Sequence, residues 1–130
     1  MKSNIVLPWG ELEYQKVYLT IDKPVLFQCT FTDEPDLLWL GQHLEYIDAS
    51  KWDRTSDEEI NNYALTKVGE GIIEELEAGR YTLKKLFQEF PMLWVSHRFS
   101  KKANKHSTVY KDRTSINPLY EIADGATLSI

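Results

Sequence analysis

The side chains best suited to chemistry in this chain are one cysteine and three histidines, and their spacing argues against a catalytic or metal centre. Cys29 alternates with apolar residues of a predicted strand, so we expect it in the core, where a thiol behaves as a small hydrophobic group. His43, His97 and His106 lie far apart, and no two have the four-residue spacing that places metal ligands on one helix face. The sequence therefore indicates no catalytic residue, no metal site and no cofactor.

A basic segment over residues 98–113 is the candidate for holding an anion. It carries six Lys and Arg residues against one acid, with two aromatic residues among them. Basic and aromatic side chains together contact phosphates and stack on bases, so the pattern is typical of a nucleotide or small-anion site. The residues of this hypothesis are His97, Arg98, Lys101, Lys102 and Lys105. The alternative is a solvated loop that pairs with acidic residues of the same chain.

Charge is distributed unevenly along the chain, whose net charge is −5. Residues 1–90 carry nine Lys and Arg against 17 Asp and Glu, whereas residues 91–130 carry six against three. The acidic part would repel phosphates, which argues against nucleic acid as a partner. It would attract a protein with a basic surface and speed the encounter with it. The alternative is an acidic surface that only keeps the protein in solution.

Tryptophan is abundant, with four residues among 130. Trp39 falls on the strand face opposite Leu38 and Leu40, and Trp52 lies in a polar loop. Exposed Trp is enriched at protein interfaces, whereas the alternative for Trp52 is a loop anchor packed on the sheet edge. Joined with carboxylates of the predicted helical region, this hypothesis gives as protein-binding residues Trp39, Trp52, Glu58, Glu59, Glu74 and Glu75.

Three strands joined by short turns are predicted before residue 50, at 12–21, 25–31 and 37–47. The second strand alternates strictly, with Phe27 and Cys29 on one face. The third strand contains Gly41, which predicts a bulge. Because strands joined by short loops pair antiparallel, this half of the chain predicts a meander.

A change of period after residue 55 predicts helices. Ser56 and Glu59 form a capping-box pattern. Apolar residues then recur every four positions, at Ile60, Ala64, Val68, Ile72 and Leu76. A second helix is predicted to begin after Thr82 and to end before Pro91, and a fourth strand follows at 92–99.

Strands followed by helices and a further strand indicate an α+β fold. We predict an antiparallel sheet of about four to five strands with two helices packed on one face. Residues 1–130 are expected to form a single domain, in which residues 100–130 are a basic loop and a C-terminal extension. A short edge strand or a frayed end is predicted over 126–130.

The order of these elements and of their turn and core residues resembles a family of small uncharacterised bacterial domains, over residues 11–99. The residues that carry the resemblance are Val17, Tyr18, Asp22, Pro24, Val25, Leu26, Phe27, Trp39, Leu76, Gly79, Thr82, Leu83, Phe87 and the strand from Met92. The resemblance implies a bacterial or phage origin and an α+β fold. It implies no activity and no site residues.

The function predicted from these features is that of a small, acidic, non-catalytic protein-binding module. Its type would be an immunity protein, a toxin neutraliser or a phage-encoded inhibitor of a defence protein. One alternative is a nucleotide- or anion-binding protein, with or without enzymatic activity, that uses residues 98–113. Another is a homo-oligomeric accessory domain, such as a homodimer.

The expected location is the cytoplasm, without membrane contact. No run approaches the ~18 apolar residues of a membrane span. The N-terminus shows no leader pattern, and a single cysteine fits a reducing compartment.

Overall fold

A computed structural model describes residues 2–113 of the chain, and these residues form seven strands and two short helices. The strands are β1 (Lys2–Leu7), β2 (Gly10–Ile21), β3 (Lys23–Phe31), β4 (Glu34–Asp48), β5 (Glu58–Val68), β6 (Met92–Ser100) and β7 (Lys105–Arg113). The helices α1 (Glu70–Glu77) and α2 (Leu83–Glu89) lie between β5 and β6, and a 3₁₀ turn, Ala49–Lys51, follows β4. Each strand pairs antiparallel with the next in chain order. Because β1 and β7 also contact each other, the sheet curls into a nearly closed barrel.

The predicted α+β fold, with four to five strands and two helices on one face, is wrong. The main error lies at residues 58–68, which form strand β5 and not the start of a helix. A spacing of four residues fits the helical period of 3.6, but it is also a multiple of the strand period of two. Ile60, Ala64 and Val68 therefore share one face of a strand. The opposite face carries Tyr63 and Leu65, which are also buried. The sequence of this segment therefore lacks the alternation of apolar and polar residues that would indicate a strand.

Part of the segment expected as a basic loop and extension, residues 105–113, forms β7, which pairs along its length with β6. The turn from Ser100 to Lys105 is the basic part of that connection. The edge strand or frayed end predicted over 126–130 lies outside the described residues.

The inside of the curled sheet is an aromatic and aliphatic core. Phe27, Cys29 and Phe31 of β3 are completely buried there, as the alternation of that strand predicts. Burial also raises the pKa of the Cys29 thiol. The ring of Trp9, in the turn after β1, meets Tyr110 of β7 edge-to-face with centroids 5.4 Å apart, which joins the two edges of the sheet.

The helices cover a second apolar cluster on the outer face of the sheet. Ile73 and Leu76 of α1 and Leu86 and Phe87 of α2 are buried against strand residues such as Leu40. Within the described part of the chain, neither helix has the length or the apolar content needed to cross a membrane.

One end of the sheet interior holds three connections, between β2 and β3, β4 and β5, and β6 and β7. At this end the inward-facing side chains change from apolar to polar. Tyr63 and Val95 form an apolar cross-strand pair of β5 and β6, and the next inward-facing pair towards this end is Asn61 and His97. We call it the polar end, and it carries the candidate site.

Candidate functional site

A pocket of about 620 Å³ opens at the polar end between the β2–β3 turn and strands β4 and β5. It is lined by Ile21, Asp22, Lys23, Val25, His43, Tyr46 and Glu59. This volume lies within the range of pockets that hold small organic ligands.

The amide oxygen of Asn61, which is on β5, joins the two basic side chains of this pocket. Lys23 Nζ donates to Asn61 Oδ1 at 2.8 Å, and the Nε2 atom of His43 lies 2.9 Å from the same oxygen. An ammonium group can only donate, so the Asn61 atom must be the oxygen, and His43 must donate to it through Nε2. Neutral His43 is therefore the tautomer with its proton on Nε2.

Lys23 is the positive charge of the pocket. Its ammonium lies over the ring of Tyr46, 4.8 Å from the centroid, and is hydrogen-bonded to a neutral amide. The ion pairs found among residues 2–113 all involve other cations. A half-buried ammonium without a carboxylate partner is a place where an anion gains a strong, charge-assisted hydrogen bond.

A pair of histidines, His97 on β6 and His106 on β7, lies close to Lys23. His97 Nε2 and His106 Nδ1 are 3.0 Å apart, and the rings are stacked with centroids 5.0 Å apart. Burial, with the nearby His106 and Lys23 acting in the same direction, lowers the pKa of His97 to about 4. Burial also lowers the pKa of His43, with Lys23 acting the same way against the hydrogen bond to Asn61. At neutral pH these two imidazoles are therefore uncharged.

Of the five residues predicted to hold an anion, the structure places His97 inside the sheet and the other four at the end of β6 and at the β6–β7 turn. His97 is 7% exposed and faces the interior, and it is close enough to Lys23 for the ammonium charge to lower the pKa of the imidazole. Arg98 pairs with Glu58 at 3.7 Å, and Lys101 pairs with Glu59 at 3.1 Å. Lys102 and Lys105 are exposed at the β6–β7 turn.

The basic turn therefore neutralises acidic residues of the same chain. Besides the two ion pairs to β5, the carboxylate of Asp57 accepts hydrogen bonds from the Lys102 backbone and from Ser100 Oγ. Glu59 also accepts a hydrogen bond from the Tyr46 hydroxyl at 3.1 Å.

The residues predicted to bind a protein partner are also dispersed. Trp39 is only 8% exposed and packs between Trp9 and Phe31, whereas Trp52, after the 3₁₀ turn, is 75% exposed. Glu58 and Glu59 begin β5 at the polar end. Glu74 and Glu75 lie on α1, which follows the opposite end of that strand.

Glu70 and Glu74 of α1 border a groove between this helix and the outer face of strands β2 to β4. The groove holds about 540 Å³, and its acidic lining residues are Glu13, Glu70 and Glu74. Glu75 forms an ion pair with Arg80 at 2.9 Å instead.

The residues predicted from the sequence to hold an anion do not include Lys23, His43 or Asn61. A signal existed for Lys23, because the alternation that places Val25, Phe27 and Cys29 inside extends back to it. Among residues 2–113, no group of three or more His, Cys, Asp or Glu side chains is placed to hold a metal ion.

Comparison with known proteins finds no match to this chain among family models, curated proteins or solved structures. The resemblance to small bacterial domains stays a prediction, and the geometry of the pocket carries the functional argument.

Proposed function

We propose that this protein binds a small anionic ligand in the pocket at the polar end. The observation that carries the proposal is the Lys23 ammonium, which is held by Asn61 and Tyr46 and has no carboxylate partner among the described residues. An anion placed there would receive a hydrogen bond from a charged donor that is already ordered. The entropy lost on binding is correspondingly small, because the donor needs little rearrangement.

The neighbouring imidazoles support the same proposal. Lys23 disfavours the charged forms of His43 and His97. An anion beside the ammonium would cancel this effect and favour their protonation. Lys23 thus lies near two neutral imidazoles, His43 in the pocket lining and His97 close by, whose charged forms it disfavours.

The test is isothermal titration calorimetry with inorganic phosphate, ADP and hexanoate on wild type and two matched variants. Lys23→Met removes the pocket cation and keeps an unbranched side chain that is one atom shorter, and we expect it to weaken binding at least tenfold. Lys102→Met removes an exposed cation of the basic turn and should leave binding within twofold. Equal loss in both variants, or binding that survives in Lys23→Met, would overturn the proposal.

A second candidate function is docking on a protein with a basic surface, of the immunity or anti-defence type, in the cytoplasm. It is favoured by the exposed Trp52 ring and by the acidic groove beside α1. Capture of a partner by wild type but not by Glu70→Lys/Glu74→Lys would support it. Trp52→Ser tests the polar end separately, and unchanged capture by both variants would contradict this candidate.

A further inference from the structure

We infer that the ligand of the polar-end pocket is a monocarboxylate with an apolar body, its carboxylate at Lys23 and its body against the β2–β3 turn. This inference rests on the proposed function and narrows it to one chemical class. It depends on the charges of the pocket, on its apolar wall and on its volume.

The charges of the pocket favour a single negative charge on the ligand. Lys23 is its one cation among the lining residues, and Asp22 and Glu59 bring carboxylates to the same lining. Glu59 is neutralised by Lys101, whereas no described cation forms an ion pair with Asp22. A diphosphate or triphosphate would place two or more further negative charges near these carboxylates, and like charges at such distances repel. One carboxylate balances one ammonium.

One wall of the pocket is apolar. Ile21, the last residue of β2, is 63% exposed, and Val25 of β3 lies on the same lining. The methylene stem of Lys23 stands between them in the sequence and extends this surface. An inorganic anion would leave these groups in water, whereas an alkyl or aryl body would remove them from it and gain free energy in proportion to the area covered.

The volume of about 620 Å³ agrees with such a body. A site for a bare inorganic anion is usually a few donors converging on a small space, whereas this pocket has one cationic lining residue in a much larger volume. A carboxylate at Lys23 Nζ leaves the rest of the volume beside Ile21 and Val25 for an apolar chain. The Tyr46 ring, under the ammonium, provides a further flat surface.

The experiment is a chain-length series of butanoate, hexanoate and octanoate, with octan-1-ol and ADP as comparison ligands, measured by calorimetry at pH 7. We expect affinity to rise about two- to fourfold for each added CH₂ group, because each burial contributes about 0.8 kcal/mol when complete. Octanoate should bind at least tenfold more tightly than octan-1-ol or ADP.

Two variants separate the two halves of the ligand. Lys23→Met should weaken octanoate at least tenfold and leave octan-1-ol within twofold. Ile21→Ser should reduce the increase in affinity for each added CH₂ group, and it should leave the affinity for butanoate almost unchanged. Ile21 is mostly exposed, so this variant is expected to fold, and its thermal unfolding midpoint serves as the check.

The outcomes distinguish this inference from the proposed function. If ADP or phosphate binds more tightly than octanoate and this binding depends on Lys23, the inference of a monocarboxylate ligand is wrong and the proposed anion site stands. Absence of chain-length dependence would lead to the same conclusion. Absence of Lys23-dependent binding for every anion would overturn both, and a steep series lost in Lys23→Met supports both.

Discussion

His97 Nε2 lies 3.0 Å from His106 Nδ1, and the two rings stack almost in parallel between strands β6 and β7. One of the two nitrogens must donate and the other must accept, so the contact requires that at least one ring be neutral. Lys23 on β3 adds a positive charge near His97, and both Lys23 and His43 on β4 contact the side-chain oxygen of Asn61. The folded protein therefore holds His97 in its uncharged form, and the free energy of unfolding must depend on pH.

The first prediction concerns that dependence. The pKa of His97 is lowered from 6.5 to about 4 in the folded state, so the unfolded chain binds the proton first as pH falls. The stabilising contribution is present above pH 6.5 and is lost as pH falls towards 4. At most the slope is about 1.4 kcal/mol per pH unit from this residue. Urea unfolding at pH 7, 6 and 5 should show a smaller decrease in His97→Gln than in wild type, and parallel decreases would contradict the assignment.

The second prediction concerns Gly41, where the structure shows close packing and no bulge. A Cβ atom at this position would lie 2.4 Å from Phe27 Cε2 and 2.8 Å from Leu65 Cδ2, both in the core. Gly41→Ala should therefore destabilise the protein by about 1–3 kcal/mol. Gly71→Ala is the matched control, because a Cβ atom there meets nothing within 4 Å in α1 and should stabilise by up to about 1 kcal/mol. Denaturant unfolding measures both, and an unchanged Gly41→Ala midpoint would refute the packing argument.

Gly41 also illustrates how far the sequence could predict this fold. A glycine inside a strand correctly marks a position where a side chain is excluded, but the pattern does not say whether a bulge or a neighbouring ring is the reason. The register shift in β4 lies two residues later, between His43 and Glu45. Strand β3 was predictable because its inner residues are apolar and its outer ones largely polar. Strand β5 was not, because helices cover its outer face and both of its faces are buried.

The grouping of the candidate-site residues could not be predicted from the sequence, for a related reason. Lys23, His43 and Asn61 come from three strands and meet only through the pairing of β4 with β5 and the curl of the sheet. A shift of one residue in any of these strands would turn its side chain to the other face. Local patterns do not specify register between distant strands. The basic residues of 98–105 were conspicuous in sequence, yet two of them are used in ion pairs with β5.

The third prediction tests Asn61 as the group that orients the pocket. Asn61→Asp keeps the shape of the side chain but places a carboxylate beside Lys23 and His43. We expect the pKa of His43 to rise, because an opposite charge favours imidazolium, and anion binding to fall at least tenfold, because Lys23 gains an internal partner. Nitrogen chemical shifts of the His43 ring report both its tautomer and its pKa. Wild type should show the proton on Nε2 at neutral pH, and the opposite tautomer would contradict the network.

The last prediction links ligand binding to proton uptake. An anion beside Lys23 favours the charged form of His43, so the complex binds more protons than the free protein. By linkage, affinity must then rise as pH falls. We expect octanoate, which stays ionised, to bind more tightly at pH 6 than at pH 8. Calorimetry in two buffers of different ionisation enthalpy should show net proton uptake at pH 6. His43→Gln should reduce the uptake while Lys23 still binds the carboxylate, and His97→Gln should leave it unchanged, because a pKa of about 4 keeps the His97 ring neutral at pH 6. Uptake that is unchanged in His43→Gln would contradict this assignment, and no uptake in wild type would show that the anion does not bind near His43.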